Sequence, residues 1–329
     1  MPGIAPADVR EQLLVRRAQL AAVMRPDTGH RFVELLQEVD AALERVDAGS
    51  YGVCEVCHDA IEAHRLTCDP LVRVCLGCLS PDQARLLERD LEAAARIQAG
   101  LLPARELAHD GWQIAYHYAP LGPVSGDYCD IIRPDQPAGD LHVVFGDVAG
   151  KGVSASLLMT HLHAMFRALV ALDLPLAELV ARANRLFSES TLPHVYATLV
   201  VGRLSASGDV ELTNLAHCPP LVVAGGSVRS LPPTGYPLGL FPSGTIETRS
   251  FQLAQGDQLF LYTDGLSEAE NDRGEEYGEQ RILRAVENTG SVPPRGTIRA
   301  CLDDLTTFRN GASSHDDLTL MAVRRAYLA

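Results

Sequence analysis

Apolar residues recur with a helical period toward the start of the chain. In residues 7–24 and 31–47 apolar side chains recur near the 3.6-residue period, which predicts two helices. The turn-forming segment 26–29 separates them, so we expect a helical hairpin. A third helix is predicted over 82–102, because Ser80-Pro81-Asp82 is a typical helix start.

After Pro103 the pattern changes to short strands. Helical patterns interrupt the strands as two pairs, over 153–171 and 175–190 and over about 277–288 and 294–309. Strands and paired helices without a regular one-to-one alternation predict an α+β layered sandwich with mainly antiparallel sheets. The predicted strands are Trp112–Tyr118, Tyr128–Ile132, Leu141–Phe145, Tyr196–Leu204, Val210–Leu215, Leu221–Val223, Gln258–Tyr262 and a last strand over 318–324.

Composition excludes several classes of protein. With 329 residues and 47% hydrophobic content, the chain can bury a large core in about two domains. No stretch approaches the ~18 apolar residues of a membrane span, and the first residues lack the layout of a signal peptide, so we expect a cytoplasmic protein without a membrane segment. The net charge of −14, without a basic stripe, opposes direct binding of nucleic acid.

Four cysteines form two Cys-x-x-Cys pairs, Cys54 with Cys57 and Cys75 with Cys78, separated by 17 residues. Each pair offers two thiolates from a tight turn, and the loop between the pairs lets them converge on one tetrahedral zinc ion with Zn–S distances of about 2.3 Å. Four unrelated reduced cysteines or a redox dithiol are the alternatives. Other side chains of a ligating type lie nearby in the sequence: His58, His64 and Cys68.

The cysteine segment resembles the DksA/TraR zinc-finger family over roughly residues 40–80. The resemblance is carried by Tyr51-Gly52-Val53-Cys54-Glu55-Val56-Cys57, by Arg65-Leu66 and by Cys75-Leu76-Gly77-Cys78. It implies one structural Zn²⁺ and, in some members, binding to RNA polymerase through an acidic tip on a helical hairpin. The tip of the predicted hairpin here, residues 25–30, offers a single carboxylate.

Four acidic motifs mark residues 104–329. Three of them stand at the end or start of a predicted strand, where a carboxylate can point from a rigid sheet into a shared cleft. Mg²⁺ and Mn²⁺ take such oxygen ligands, and two cations about 3.5–4 Å apart activate water in hydrolases. Each motif alone is also a turn or a solvated loop, whereas convergence predicts a two-metal hydrolase. The motifs are Ser125-Gly126-Asp127-Tyr128, Gly146-Asp147-Val148-Ala149-Gly150-Lys151-Gly152, Thr263-Asp264-Gly265 and His315-Asp316-Asp317-Leu318-Thr319.

In this order the motifs resemble the SpoIIE-type branch of the type 2C, metal-dependent (PPM) phosphatases. The likeness covers about residues 90–329 and includes the lead-in Ala95-Arg96-Ile97-Gln98 and Leu101-Leu102-Pro103. It implies a PPM-type α-β-β-α sandwich of two mainly antiparallel sheets flanked by helices. It also implies hydrolysis of phosphoserine or phosphothreonine on a protein, with two Mn²⁺ or Mg²⁺ and no covalent intermediate.

The resemblance also implies roles for individual residues. Asp147 looks like the carboxylate that bridges both cations, with the Val148 carbonyl as a neighbouring ligand. Asp127 would lie on the side of the second cation, and Asp264 and Asp316 on the side of the first. Of the pair Asp316 and Asp317, Asp317 is the less favoured ligand. Lys151, the only lysine among 28 basic residues, would attract phosphate or cap the following helix. His217 resembles a family feature and also fits a role in packing or in a turn.

Two other classes of site lack their sequence signatures in this chain. A cysteine-based phosphatase needs an arginine six positions after its cysteine, and none of the eight cysteines has one. A nucleotide-binding P-loop at Gly146 to Lys151 is one residue too short, and Gly152 replaces the serine or threonine that binds magnesium. The remaining alternative is a zinc-finger interaction protein whose phosphatase-like domain is a scaffold.

Partners and boundaries complete the expectation. The resemblance implies a phosphorylated anti-sigma-factor antagonist, in a partner-switching pathway, as substrate. An apolar stripe along helix 82–102 predicts either pairing with a second copy or packing onto the chain's own phosphatase domain. We expect a helical hairpin over 1–50, a finger over 51–80, a helical linker over 81–103 and a phosphatase domain over 104–329. The stripe comprises Leu86, Leu87, Leu91, Ala94, Ile97 and Leu101.

Overall fold

Helices α1 (Pro6–Val23) and α2 (His30–Asp47) form the hairpin expected at the start of the chain. The computed structural model describes residues 6–23, 30–133, 139–192, 195–241, 246–287, 289 and 292–327. Val9 and Leu13 of α1 pack against Val39 and Ala42 of α2 in a small buried core. The predicted break at 26–29, and with it most of the hairpin tip, lies outside the described residues.

The cysteine-rich segment packs against this hairpin within the first compact unit, Met1–Asp90. Leu71 joins the core of the hairpin. The Arg45 guanidinium donates hydrogen bonds to the carbonyls of Val72 at 3.1 Å and Leu71 at 3.4 Å. A short helix, α3 (Ala63–Cys68), and a single 3-10 turn (Leu76–Cys78) are the regular elements described in the segment. Its position therefore depends on side chains of α2.

Helix α4 (Pro81–Leu101) follows the finger and agrees with the predicted third helix within one residue at each end. Ser80 and Gln83 bond each other reciprocally at its start, with the Gln83 amide 3.2 Å from Ser80 Oγ and the Ser80 amide 3.0 Å from Gln83 Oε1. This arrangement is a capping box. Among the described side chains of α4 only Gln98 is buried, so the apolar stripe of the helix remains at least partly exposed.

Two antiparallel sheets form the core of the second unit, Leu91–Ala329. The described strands are β1 (Glu106–His109), β2 (Trp112–Ala119), β3 (Asp127–Ile132), β4 (Leu141–Val148), β5 (Ala197–Leu204), β6 (Asp209–Leu215), β7 (Leu221–Ala224), β8 (Ser227–Ser230), β9 (Arg249–Gln252), β10 (Gln258–Tyr262) and β11 (Leu318–Arg325). The first sheet has the order β1-β2-β11-β10-β7-β8, and the second has the order β3-β4-β5-β6-β9.

Helices cover the outer face of each sheet. Helices α5 (Gly152–Val170) and α6 (Leu176–Ser190) pack on the second sheet, where Phe166 and Phe187 are fully buried. The first sheet is covered by α7 (Asp264–Ser267), α8 (Gly278–Glu287) and α9 (Pro294–Arg309). The inner faces meet in a third cluster that contains Phe145 and Val323. The α-β-β-α sandwich predicted from the sequence is confirmed.

The sequence pattern missed three strands, and all three lie at sheet edges. Strands β1 and β8 are the two edges of the first sheet, and β9 is an edge of the second. Each has four residues, and exposed positions alternate with half-buried ones in β1 and β9. Such short, polar segments show little apolar periodicity.

Asp264 also differs from the simplest interpretation of Asp-Gly, because it begins the short helix α7 instead of a hairpin turn.

One described helix, α5, is long and apolar enough to span a membrane by length and composition alone. Met159, Leu162 and Phe166 on this helix are buried in the core beneath the second sheet. Its apolar character is therefore that of a core helix.

His217 lies in the turn after β6 and is buried between the sheets. Its amide donates to Asn214 Oδ1 at 2.8 Å, the Asn214 amide group donates back to the His217 carbonyl at 3.1 Å, and its Nδ1 is 2.9 Å from Thr198 Oγ1. Burial lowers the pKa of His217 to about 4. The imidazole is therefore neutral in the folded protein at ordinary pH.

This burial predicts a specific acid sensitivity. Between pH 6.5 and pH 4 the unfolded chain binds a proton at His217 that the folded chain does not, so stability falls as the pH is lowered through this window. The slope for one proton is about 1.4 kcal/mol per pH unit. We expect His217→Gln to remove this contribution in urea unfolding measured at several pH values.

His58→Asn, a change at an exposed histidine, is the control and should leave the slope as in the wild type. Equal slopes for wild type and His217→Gln would show that the folded protein also protonates His217.

Candidate metal centres

Five aspartates from the four predicted motifs meet at one end of the two sheets. Asp127 begins β3 and lies directly opposite Asp147 of β4 in the antiparallel register. Asp264 lies two residues after the end of β10, and Asp316 and Asp317 directly precede its neighbour β11. Each sheet therefore contributes carboxylates from two adjacent strands.

The charges of these aspartates act on one another. Burial, and after it the neighbouring Asp147, raises the pKa of Asp127 well above its ordinary range. Burial together with Asp264 and Asp316 raises the pKa of Asp147 to about 7. Burial and then Asp316 also raise the pKa of Asp264. Burial and a neighbouring aspartate thus raise the pKa of each of these three carboxyls.

Two glycines let the backbone approach the carboxylates. A Cβ atom on Gly126 would lie 2.9 Å from Asp147 Oδ1 and 3.1 Å from the Val148 carbonyl oxygen. A Cβ on Gly265 would lie 1.8 Å from the Asp317 carbonyl oxygen, which is closer than any side chain can come. The glycines in Ser-Gly-Asp and Thr-Asp-Gly are thus required by close packing around the site.

Two buried threonines hold the carboxylate of Asp127. The Thr319 hydroxyl donates a short hydrogen bond to Asp127 Oδ2, and the Thr263 hydroxyl is 3.2 Å from the same oxygen. The Thr319 amide donates to Thr263 Oγ1 at 3.0 Å, which fixes the first threonine to the second. Oδ2 therefore accepts hydrogen bonds from Thr263, just after β10, and from Thr319 of β11.

The loop before Asp127 is held by Asp317 and Gln98. Asp317 accepts hydrogen bonds from Ser125 Oγ at 2.6 Å, from the Gly126 amide at 3.1 Å and from the Leu121 amide at 2.7 Å. The buried amide of Gln98 bonds both backbone groups of Ser125, at 2.7 Å to its carbonyl and 3.0 Å from its N–H. In this structure Asp317 stabilises the loop by accepting these hydrogen bonds, whereas Asp316 contacts Lys151.

Lys151 projects toward the carboxylates. Its Nζ is 2.7 Å from Asp316 Oδ2, and its side chain is 68% exposed. Lys151 occupies the position before α5, but its side chain makes no capping hydrogen bond. Lys151 therefore forms an ion pair with Asp316 and does not cap the helix with its side chain.

The donor set fits hard divalent cations. Every charged group described above except Lys151 is a carboxylate, and the Asp147 carboxylate and the Val148 carbonyl oxygen line the same small space beside Gly126. Oxygen donors with excess negative charge are the ligands that Mg²⁺ and Mn²⁺ prefer. Asp127, Asp147, Asp264, Asp316 and the Val148 carbonyl are the groups able to hold them.

A second cluster, in the first unit, is made of sulfur. The Sγ atoms of Cys54, Cys57, Cys75 and Cys78 all lie within 4.8 Å of one another. The Cys75 amide donates to Cys54 Sγ at 3.3 Å. His58 is exposed and is not part of this cluster, and the side chains of His64 and Cys68 lie outside the described part of the chain.

The four thiols fit a soft metal ion. Backbone N–H groups of Cys57 and Cys75 lower the pKa of Cys54 to about 6. Hydrogen bonding with the Cys57 and Cys75 side chains raises the pKa of Cys78 to about 12. The Cys54 thiolate is thus favoured and that of Cys78 disfavoured within the cluster, whereas a tetrahedral Zn²⁺ would be held by four thiolates.

Three supporting residues were not identified from the sequence. Thr263 and Thr319 stand inside the acidic motifs, and Gln98 stands in the lead-in, but the motifs assign a role to none of them. Their only signal was adjacency to the carboxylates, because a buried hydroxyl or amide looks the same in sequence as an exposed one.

Comparison with known families gives two matches. The family model described as stage II sporulation protein E (SpoIIE) matches residues 137–326, a range that includes Asp147, Asp264 and Asp316 and begins after Asp127. The model of the prokaryotic DksA/TraR C4-type zinc finger matches residues 49–84 and includes all four clustered cysteines.

Individual proteins are similar over longer ranges. Protein IcfG of Synechocystis sp. is 26% identical over 268 residues, 72% of this chain but 41% of IcfG. Phosphoserine phosphatase RsbU of Bacillus subtilis is 21% identical over 243 residues, 73% of this chain and 71% of RsbU. The crystal structure of the RsbU and RsbW domains of a Mycobacterium tuberculosis protein shares 29% identity with a TM-score of 0.57, over 69% of this chain and 62% of that one.

The SpoIIE match alone covers more than half of the residues, and the fold and the order of the acidic motifs agree with it. The chain therefore belongs to the SpoIIE family of PPM-type domains and carries a DksA/TraR-type C4 zinc finger ahead of that domain.

Proposed function

We propose that this chain is a cytoplasmic, metal-dependent protein phosphatase that removes phosphate from a phosphoserine or phosphothreonine of a regulatory protein. The observation that carries the proposal is the convergence of Asp127, Asp147, Asp264 and Asp316 at the ends of adjacent strands in one partly buried cluster. The similarity to phosphoserine phosphatase RsbU supports the same class of substrate. The resemblance of the acidic motifs to SpoIIE-type phosphatases further implies that the substrate is a phosphorylated anti-sigma-factor antagonist in a partner-switching pathway.

Each part of the site has a task in this reaction. Two bound Mn²⁺ or Mg²⁺ would neutralise charge on the phosphoryl group and supply an acidified water for in-line attack on phosphorus. Asp147 would bridge the two cations, Asp127 would hold one of them, and Asp264 and Asp316 the other, with the Val148 carbonyl beside them. Lys151 draws the phosphoryl group toward the carboxylates, and Gln98, Asp317 and the two threonines keep the ligand loop in place.

Asp147→Asn tests the assignment directly. The change keeps size and hydrogen-bonding capacity but removes the charge that would hold both cations, so we expect turnover of p-nitrophenyl phosphate at saturating Mn²⁺ to fall below about a tenth of wild type. Calorimetric titration should show weaker Mn²⁺ binding, and circular dichroism should show an intact fold.

Asp303→Asn is the matched control, because this carboxylate is 73% exposed on α9 and pairs only with Arg299 among the described residues. Wild-type turnover in Asp147→Asn would refute the two-metal assignment. Absence of any Mn²⁺-dependent turnover in the wild type would favour the scaffold alternative.

We also propose that the cysteine cluster holds one structural Zn²⁺. Zinc bound by four thiolates supplies much of the folding free energy of so small a module. Cys75→Ser should therefore release zinc, measured by elemental analysis, and raise amide hydrogen exchange over residues 51–80. Turnover of p-nitrophenyl phosphate should persist, since all proposed ligands of the carboxylate site lie in Leu91–Ala329.

Cys218→Ser, at a cysteine outside the cluster, should retain zinc. Full zinc content in Cys75→Ser would show that the cluster is not the zinc site.

Helix α4 is the proposed contact with a second copy of the chain. Leu86 and Ile97 are 61% and 65% exposed, although both belong to its apolar stripe. Pairing of two such stripes would remove them from water. We expect light scattering to show a dimer at tens of micromolar and Leu86→Glu to give a monomer. Leu172→Glu, at an apolar residue that is 55% exposed outside α4, should leave the dimer intact, and a monomeric wild type would contradict pairing.

A further inference from the structure

Four large apolar side chains are exposed on the second unit, just before β5 and between β8 and β9. They are Tyr196, Tyr236, Leu240 and Phe241, which we call the apolar rim; their exposed fractions are 36%, 65%, 39% and 49%. The rings of Tyr236 and Phe241 pack edge to face with centroids 4.9 Å apart. Exposed apolar groups that cluster in this way are typical of contact surfaces.

The backbone under the apolar rim is held in a fixed conformation. Asn184, a buried amide on α6, donates to the Phe241 carbonyl at 2.9 Å and accepts from the Gly239 amide at 2.8 Å. Gly239 has a positive φ of 89°, and a Cβ there would lie 2.7 Å from the ring of Phe187. Hydrogen bonds to Asn184 therefore hold the turn against α6, while the side chains of Tyr236, Leu240 and Phe241 remain exposed.

The apolar rim adjoins the carboxylate site. The amide of Ala149, two residues after Asp147, donates to the Tyr196 carbonyl at 3.0 Å. The next residue, Ala197, exchanges two backbone hydrogen bonds with Leu238, at 3.0 and 2.8 Å, which brings the turn alongside. These backbone contacts place Tyr196 and the turn at Leu238 beside the end of β4, which carries Asp147.

The net charge of the chain indicates which kind of interaction can bind a phosphoprotein substrate. The chain carries a net charge of −14, and a phosphoprotein brings further negative charge at its phosphorylated residue. Outside the contact made by the phosphoryl group itself, long-range electrostatic repulsion opposes the encounter of the two proteins. Burial of apolar surface is the attractive interaction that the rim offers.

We propose that the apolar rim is the substrate-docking surface and selects phosphoproteins with apolar side chains next to the phosphoserine or phosphothreonine. This inference rests on the proposed phosphatase function and adds to it the determinant of specificity. Tyr236 and Phe241 contribute most, because they are the most exposed members of the rim and lie against each other.

The test uses two synthetic phosphoserine peptides of equal length and charge, one with leucine and valine flanking the phosphoserine and one with serine and glycine there. The wild-type full chain with Mn²⁺ should hydrolyse the apolar-flanked peptide with a kcat/KM about tenfold higher. The double variant Tyr236→Ser/Phe241→Ser should lose this preference and keep wild-type turnover of p-nitrophenyl phosphate. Leu172→Ser, also at an exposed apolar residue, should keep the preference.

Each other outcome has a definite meaning. Equal kcat/KM for the two peptides in the wild type, or an unchanged preference in the double variant, would overturn the docking assignment while leaving the phosphatase assignment intact. A change of oligomeric state in the double variant would show that a second copy covers the rim, and would also overturn it. If neither peptide nor the ester is hydrolysed, the proposed phosphatase function fails. The rim is then judged by fluorescence anisotropy, where equal binding of the two labelled peptides would overturn it.

Discussion

Repulsion among carboxylates is the constraint around which the second unit is organised. Asp127, Asp147 and Asp264 lie in a partly or fully buried cleft where burial and a neighbouring aspartate raise the pKa of each, and such a cluster costs free energy unless cations balance it. The two sheets hold the aspartates at strand ends. Packing elsewhere in the sheets offsets the free-energy cost of bringing the carboxylates together. Buried clusters on both faces of each sheet supply that packing.

The hydrogen bonds around the site follow from this constraint. A carboxylate that repels its neighbours needs donors on the side facing away from them. Asp127 finds these donors in two threonine hydroxyls, and Asp317 finds them in the loop that contains Ser125. Gln98 extends the support into α4, where a polar side chain is buried and apolar ones are exposed. The burial of Gln98 on this helix is thus explained by its hydrogen bonds to Ser125.

Much of the fold was readable from the sequence because the central strands are long and apolar. Strand β10 and helix α9 were predicted with their observed bounds, and the cysteine cluster was evident from its spacing. The edge strands β1, β8 and β9 were not, since their pairing depends on neighbours that are distant in sequence. The same limit applies to Gln98, whose partner Ser125 lies 27 residues away. Periodicity reports which face of an element is buried, but not which polar group a buried amide contacts.

The single lysine gives the molecule an unusual chemical property. Most proteins of this size present many primary amines, whereas this sequence has only Lys151 and its amino terminus. The Lys151 ammonium is two-thirds exposed beside the carboxylates, and its hydrogen bond to Asp316 raises its pKa and so suppresses its nucleophilicity. An amine-acylating reagent therefore has one side-chain target in the whole chain, and its rate of reaction there reports whether Asp316 is bound to the lysine or engaged elsewhere.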